Sequence, residues 1–147
     1  SPNHPKSRGS VTLNTSNPYD CPKILFNYLE HEDDLKQTRE CIHVARKILS
    51  QPALTEHAGT EVGPGTEAQS DDELNEYIRS KADTAYHPCG TCKMGFDEMA
   101  VVDENLKVKG IQNLRVIDAS VIPEIPSANL NAPTLMIAEK GVDSILN

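Results

Sequence analysis

The residues of this chain best suited to chemistry lie between positions 85 and 95, where a histidine, a glycine and two cysteines stand close together. An imidazole titrates near neutral pH, so His87 is a candidate general base for taking a proton from a hydroxyl group. The neighbouring Tyr86 and Pro88 restrict the backbone, as the positioning of a catalytic group requires. From residue types alone, a structural histidine is the more common alternative.

Cys89 and Cys92 form a C-x-x-C pair and, with His87, indicate a metal- or redox-binding module as an alternative function. A closed zinc site needs a fourth ligand, and the chain has no second C-x-x-C. We therefore interpret both cysteines as small packed residues and expect no metal site.

A second group of candidate residues lies between positions 114 and 134. Asp118 and Ala119 follow an expected buried strand at 114–117. Pro133 is expected at the first position of a helix that runs to Ile145, where free N–H groups and positive partial charge favour an anion.

Two asparagines, Asn129 and Asn131, precede that helix in an expected extended loop at 121–132. An amide cannot take up a proton at ordinary pH, so either residue could only hydrogen-bond a substrate oxygen. If His87 and Asn129 work as a pair, His87 must be the base. The alternative is that both asparagines satisfy backbone groups of the loop.

The remaining pattern predicts mixed helices and strands without strict β-α-β order, which indicates an α+β fold. Apolar residues at steps of three and four predict a helix from Glu32 to Ser50. A capping box begins another helix at Ser70. Further predicted elements are a half-buried strand at 9–14, a short helical turn at 52–57 and short strands at 101–103 and 106–108.

Composition excludes several classes of function. The chain has 147 residues, a net charge of −8, 37% apolar residues and 4% aromatic residues. An acidic surface disfavours nucleic acid, and no apolar run approaches the ~20 residues that span a bilayer. With no signal sequence seen and cysteines too sparse for a disulfide scaffold, we expect reduced thiols and a cytoplasmic location, with peripheral association with the cytoplasmic membrane left open.

Taken together, residues 85–95, 114–120 and 127–134 resemble the C-terminal part of the glucose-methanol-choline family of flavin-dependent alcohol oxidoreductases. Within that family, these segments are most similar in sequence to those of bacterial members that oxidise choline. The resemblance implies that His87 faces the flavin as the base and that Asn129 is its partner, with Asn131 as the near alternative. The chain departs from the family pattern at Ala128, where a glycine is common.

The resemblance also implies the cofactor, FAD, and a reaction in which choline or a related alcohol loses a proton to His87 and a hydride to flavin N5. An electron acceptor must then reoxidise the flavin. The residues expected to contact the flavin are Asp118, Ala119, Asn131, Ala132, Pro133 and Thr134.

The same resemblance implies a domain organisation. Residues 1–100 would belong to a substrate-binding domain, and 101–147 would return to the flavin domain as a strand and a helix. The family's N-terminal dinucleotide-binding domain is expected to be missing, since no G-x-G-x-x-G is present. We therefore expect the isolated chain to bind no FAD, to be inactive and to self-associate through faces meant for the missing domain.

Overall fold

The computed structural model describes residues 2–146 and contains three helices and one small sheet. The elements are β1 (Ser10–Thr12), β2 (Lys23–Leu25), α1 (Glu32–Leu49), α2 (Asp71–Lys81) and α3 (Asn131–Leu146), with short 3₁₀ turns at Pro52–Leu54 and Ala119–Val121. This content is consistent with the expected α+β class. The chain forms two compact units, one ending at Asp83 and the other beginning at Thr84.

In the first unit, β1 and β2 form an antiparallel pair in which Val11 lies opposite Ile24. The strand predicted at 9–14 exists but is shorter, and the prediction that it is half-buried was wrong, because both strands are exposed along their length. β2 was not predicted, because three residues between turn signals carry too little periodicity to be read as a strand.

Helix α1 begins and ends within one residue of its predicted bounds. The buried Asp34 in its first turn is 3% exposed and accepts the backbone N–H groups of Lys6 and Ser7, each at 2.7 Å. The Ser7 hydroxyl also donates to it. Burial favours a raised pKa at Asp34, but these hydrogen bonds to the carboxylate outweigh it, so the pKa lies below its ordinary value.

Helix α2 starts with the predicted capping box, in which the Ser70 hydroxyl accepts the Glu73 N–H and the Glu73 carboxylate accepts the Ser70 N–H. It buries Leu74 and Ile78. Arg39 of α1 joins the two helices through Asn75 at 2.7 Å. The first unit is therefore held by helix packing and by local caps, and of these features the cap of α2 was predicted from the sequence.

The second unit has a small aliphatic core made of Val102, Leu106, Val121, Ile122, Leu130 and Ile137. The strands predicted at 101–103, 106–108 and 114–117 are not formed. Single bridging pairs, Val102 with Val108 and Lys107 with Arg115, replace them. Left-handed backbone at Leu106, Gly110 and Asn113 bends the chain too often for a ladder to extend. The prediction that 114–117 is buried was also wrong, since Leu114 is exposed and the next three residues are partly buried.

Helix α3 begins at Asn131, two residues before the predicted start, so the end of the predicted loop at 121–132 is helical. Pro133 therefore occupies the third position rather than the first. A proline is tolerated there because the first-turn N–H groups of a helix have no partner within the helix. Among residues 2–146, no helix has both the length and the apolar character needed to cross a membrane.

Candidate active site

The predicted base, His87, lies in a loop of the second unit and is partly buried. Tyr86 immediately before it has a φ of 59°, in the left-handed region. For a bulky L-residue that conformation costs about 1–2 kcal/mol. The Tyr86 N–H donates to the Thr84 hydroxyl oxygen at 3.0 Å. Pro88 on the other side favours extended backbone at His87.

The chain after His87 is fixed by backbone hydrogen bonds to the 3₁₀ turn at Ala119–Val121. The Cys92 N–H donates to the Ser120 carbonyl at 3.0 Å, and the Met94 N–H donates to the Val121 carbonyl at 2.8 Å. Gly90 makes the approach possible, because its φ is 86° and an added Cβ would lie 3.2 Å from the Ile122 carbonyl oxygen. The two sequence segments singled out for chemistry are thus neighbours in space.

The structure also brings His87 and Asn129 together, although 42 residues separate them in the chain. The Asn129 amide nitrogen lies 3.4 Å from His87 Nε2. An amide nitrogen is only a donor, so this long contact is a hydrogen bond when Nε2 carries the lone pair and the imidazole proton sits on Nδ1. Asn131 is the exposed first residue of α3. Of the two asparagines, the geometry pairs Asn129 with His87.

The Asp118 side chain caps the 3₁₀ turn, since its Oδ1 accepts the Ser120 N–H at 2.7 Å. Asp118 itself is exposed, and Ala119 is partly buried against the core. Because 114–117 is not a buried strand, it is this cap and the bonds to Cys92 and Met94 that hold the segment in place.

The start of α3 offers fewer ligand groups than the sequence indicated. Thr134 donates both its backbone N–H, at 2.9 Å, and its hydroxyl, at 2.7 Å, to the Leu130 carbonyl. Pro133 has no N–H to give. Asn131 and Ala132 are exposed and carry first-turn N–H groups, and no acidic residue lies in this turn. The positive end of the helix is therefore presented mainly by Asn131 and Ala132.

One charge beside the site is neutralised locally. The Lys93 ammonium lies 3.0 Å from the Asp97 carboxylate. The hydrogen bond from Lys93 holds the pKa of Asp97 below its usual range, so the Asp97 carboxylate stays charged at neutral pH.

The geometry does not support the metal-binding alternative. Within residues 2–146, no three His, Cys, Asp or Glu side chains are arranged to hold a metal ion. Cys89 packs against the apolar core, in agreement with its interpretation as a small packed residue.

Sequence reasoning did not identify the contribution of Thr84 or the close backbone approach that Gly90 allows. A hydroxyl two residues before a left-handed residue is a signal of a local turn, but it does not reveal that the turn lies directly before the candidate base His87. It also missed an apolar hollow of about 240 Å³ in the second unit. The hollow is lined by Met94, Val121, Ile122, Pro123, Pro126, Pro133, Met136 and Ile137.

Comparison with known proteins gives one matching family model and a set of similar proteins. The family model for GMC oxidoreductases matches residues 5–138. The oxygen-dependent choline dehydrogenase of Klebsiella pneumoniae (strain 342) is 54% identical over 139 residues, covering 95% of this chain and 25% of that protein. The chain thus spans about a quarter of the length of the curated relatives it matches.

Two solved structures are similar in fold. Pyridoxine 4-oxidase from Mesorbium loti has a TM-score of 0.88 at 37% sequence identity, and the match covers 96% of this chain and 28% of the oxidase chain. A fungal aryl-alcohol oxidase has a TM-score of 0.87 at 35% sequence identity, and the match covers 98% of this chain and 24% of the oxidase chain.

Proposed function

The chain belongs to the GMC oxidoreductase family, and on that premise we propose that the full-length protein is an FAD-dependent alcohol dehydrogenase that oxidises choline to betaine aldehyde. The choice of choline rests on the 54% identity to a protein named oxygen-dependent choline dehydrogenase. This chain would supply the base and part of the flavin's surroundings. An electron acceptor would complete the cycle.

The observation that carries the proposal is the contact between His87 Nε2 and the Asn129 amide nitrogen at 3.4 Å. A hydroxyl group is both a donor and an acceptor, so a substrate alcohol placed beside this pair can donate to Nε2 and accept from the amide in place of their direct contact. His87 would remove the hydroxyl proton as general base. Asn129, which cannot accept the proton, would hydrogen-bond the developing alkoxide and fix its orientation.

The residues present fit a flavin. FAD, when bound, would accept the hydride from the alcohol's α-carbon. The N–H groups of Asn131 and Ala132 at the start of α3 present positive partial charge, which suits a ring system that gains negative charge on reduction. Asp118, which is exposed, and Ala119, which is partly buried, belong to a short turn that is bonded to the chain after His87. Pro133 and Thr134 would shape the helix end rather than donate to the cofactor.

The whole protein would also contain the dinucleotide-binding domain that is expected outside this chain. In that protein residues 1–100 would complete a substrate-binding domain and 101–147 would return to the flavin domain. A cytoplasmic location and self-association of the isolated chain through its uncovered apolar faces remain predictions of the same proposal.

A pair of nearly isosteric alcohols tests the substrate. Choline and 3,3-dimethylbutan-1-ol differ in one charge, so we expect the full-length enzyme to prefer choline in kcat/KM by tenfold or more, about 1.4 kcal/mol of transition-state discrimination. The assay follows reduction of an artificial electron acceptor. Equal or better use of the uncharged alcohol would remove choline as the substrate while leaving flavin-dependent alcohol oxidation intact.

A further inference from the structure

The backbone just before His87 is held in an unfavourable conformation. Tyr86 is left-handed with a φ of 59°, yet the residue is 80% exposed. Packing of the ring therefore contributes little to fixing this conformation. The hydrogen bond from the Tyr86 N–H to the Thr84 hydroxyl, at 3.0 Å, is a contact that does fix it.

The other side of His87 is anchored independently. From Gly90 onward the chain is bonded to the carbonyls of Ser120 and Val121. Pro88 fixes its own φ and restricts the backbone of His87. The backbone of His87 is thus held by two anchors, and the upstream anchor is the turn at Thr84 and Tyr86.

We infer that Thr84 is a positioning residue: its hydroxyl holds Tyr86 left-handed and so keeps His87 Nε2 directed at Asn129. Relaxation of Tyr86 to the extended region would rotate the peptide plane before His87 and carry the imidazole away from the amide. This inference rests on the proposed role of His87 as the base.

Substitutions of Thr84 in the full-length, flavin-loaded enzyme test the inference. Thr84→Val keeps the shape of the side chain but removes the acceptor, and we expect it to lower kcat for choline about tenfold, in line with the cost of a left-handed non-glycine residue. KM should change less than twofold. Thr84→Ser keeps the hydroxyl and should recover kcat to within about twofold of the wild type.

A second background isolates the mechanism. Glycine adopts a positive φ readily, so in a Tyr86→Gly enzyme the hydroxyl is no longer needed and Thr84→Val should cost less than twofold. A loss of equal size in both backgrounds would overturn the inference, as would a wild-type kcat in Thr84→Val.

A structural readout separates positioning from chemistry. In a crystal structure of the full-length Thr84→Val variant, we expect the distance from His87 Nε2 to the Asn129 amide nitrogen to exceed the present 3.4 Å and Tyr86 to leave the left-handed region. An unchanged distance would refute the inference. His87→Gln is measured in parallel: full activity there would refute the proposed function itself, whereas an inactive His87→Gln beside a normal Thr84→Val would refute only the inference.

Discussion

Replacement of Gly90 by alanine should loosen the loop that carries His87. Gly90 has a φ of 86°, and an added Cβ would meet the Ile122 carbonyl oxygen at 3.2 Å. An alanine in the left-handed region costs about 1–2 kcal/mol. The tight contact adds to this because a backbone oxygen cannot swing away as a side chain can. We take the total as about 2 kcal/mol, which corresponds to a factor of about 30 in a local opening equilibrium.

Hydrogen exchange measured by mass spectrometry on the full-length protein reports this opening directly. The diagnostic amides are those of Cys92 and Met94, whose bonds to Ser120 and Val121 close the loop. We expect their exchange to accelerate about 30-fold in Gly90→Ala, by the same conversion of 2 kcal/mol.

Two matched controls come from the same chain. Gly59 has no positive φ and Gly110 has a φ of 79°, and apart from the adjacent residues no described atom lies within 4 Å of an added Cβ at either position. Gly59→Ala should leave the two amides unchanged, and Gly110→Ala should disturb only its own turn. An acceleration below threefold in Gly90→Ala would refute the reasoning about backbone contact.

Three further outcomes follow from the structure. Asp34→Asn should lower the free energy of unfolding of the 147-residue chain by about 2–3 kcal/mol at pH 7 in urea unfolding, because an NH₂ donor replaces one of the two carboxylate oxygens that accept hydrogen bonds. The folded pKa of Asp34 lies below the ordinary value of about 3.9. The stabilisation by the carboxylate is therefore complete above that pH and is lost as the pH falls through the folded pKa. An equal loss at pH 7 and at pH 2 would contradict this. Gly141→Ala places a Cβ 2.6 Å from Ile117 Cγ2, and the cost of overpacking, about 1–3 kcal/mol, should exceed the ~1 kcal/mol gain in helix propensity. The same urea assay should show a net loss of stability that disappears in an Ile117→Ala background. A single variant more stable than the wild type would contradict this. Chelation with EDTA should leave the full-length enzyme's rate within about twofold, and a stoichiometric metal whose removal inactivates it would restore the metal-site interpretation at Cys89 and Cys92.

The helices of the first unit could be predicted from the sequence because their determinants are local. The capping box at Ser70 and Glu73 and the spacing of apolar residues in α1 each act within a few residues. The strands could not be predicted equally well. Whether Val102 extends into a ladder depends on turns elsewhere, and the left-handed residues that prevent it include Leu106, a type with no turn signature.

In the candidate site, too, some features could be predicted from the sequence and others could not. Residue types and the family resemblance identified His87 and Asn129, but their contact arises from bonds between carbonyls and N–H groups that carry no side-chain signature. The position of α3 illustrates a second limit. Pro133 indicates a first turn without fixing the register within it, and the helix begins two residues earlier. Consequently the use of both Thr134 donors by Leu130 could not be foreseen.

The most direct test of the central claim is anaerobic reduction of FAD by choline in the full-length protein carrying His87→Gln. Loss of a general base should slow flavin reduction about 10²–10⁴-fold while the flavin content stays normal. His57→Gln, an exposed histidine of the first unit, serves as the control and should reduce flavin at the wild-type rate. Flavin reduction within threefold of the wild type in His87→Gln would contradict the account.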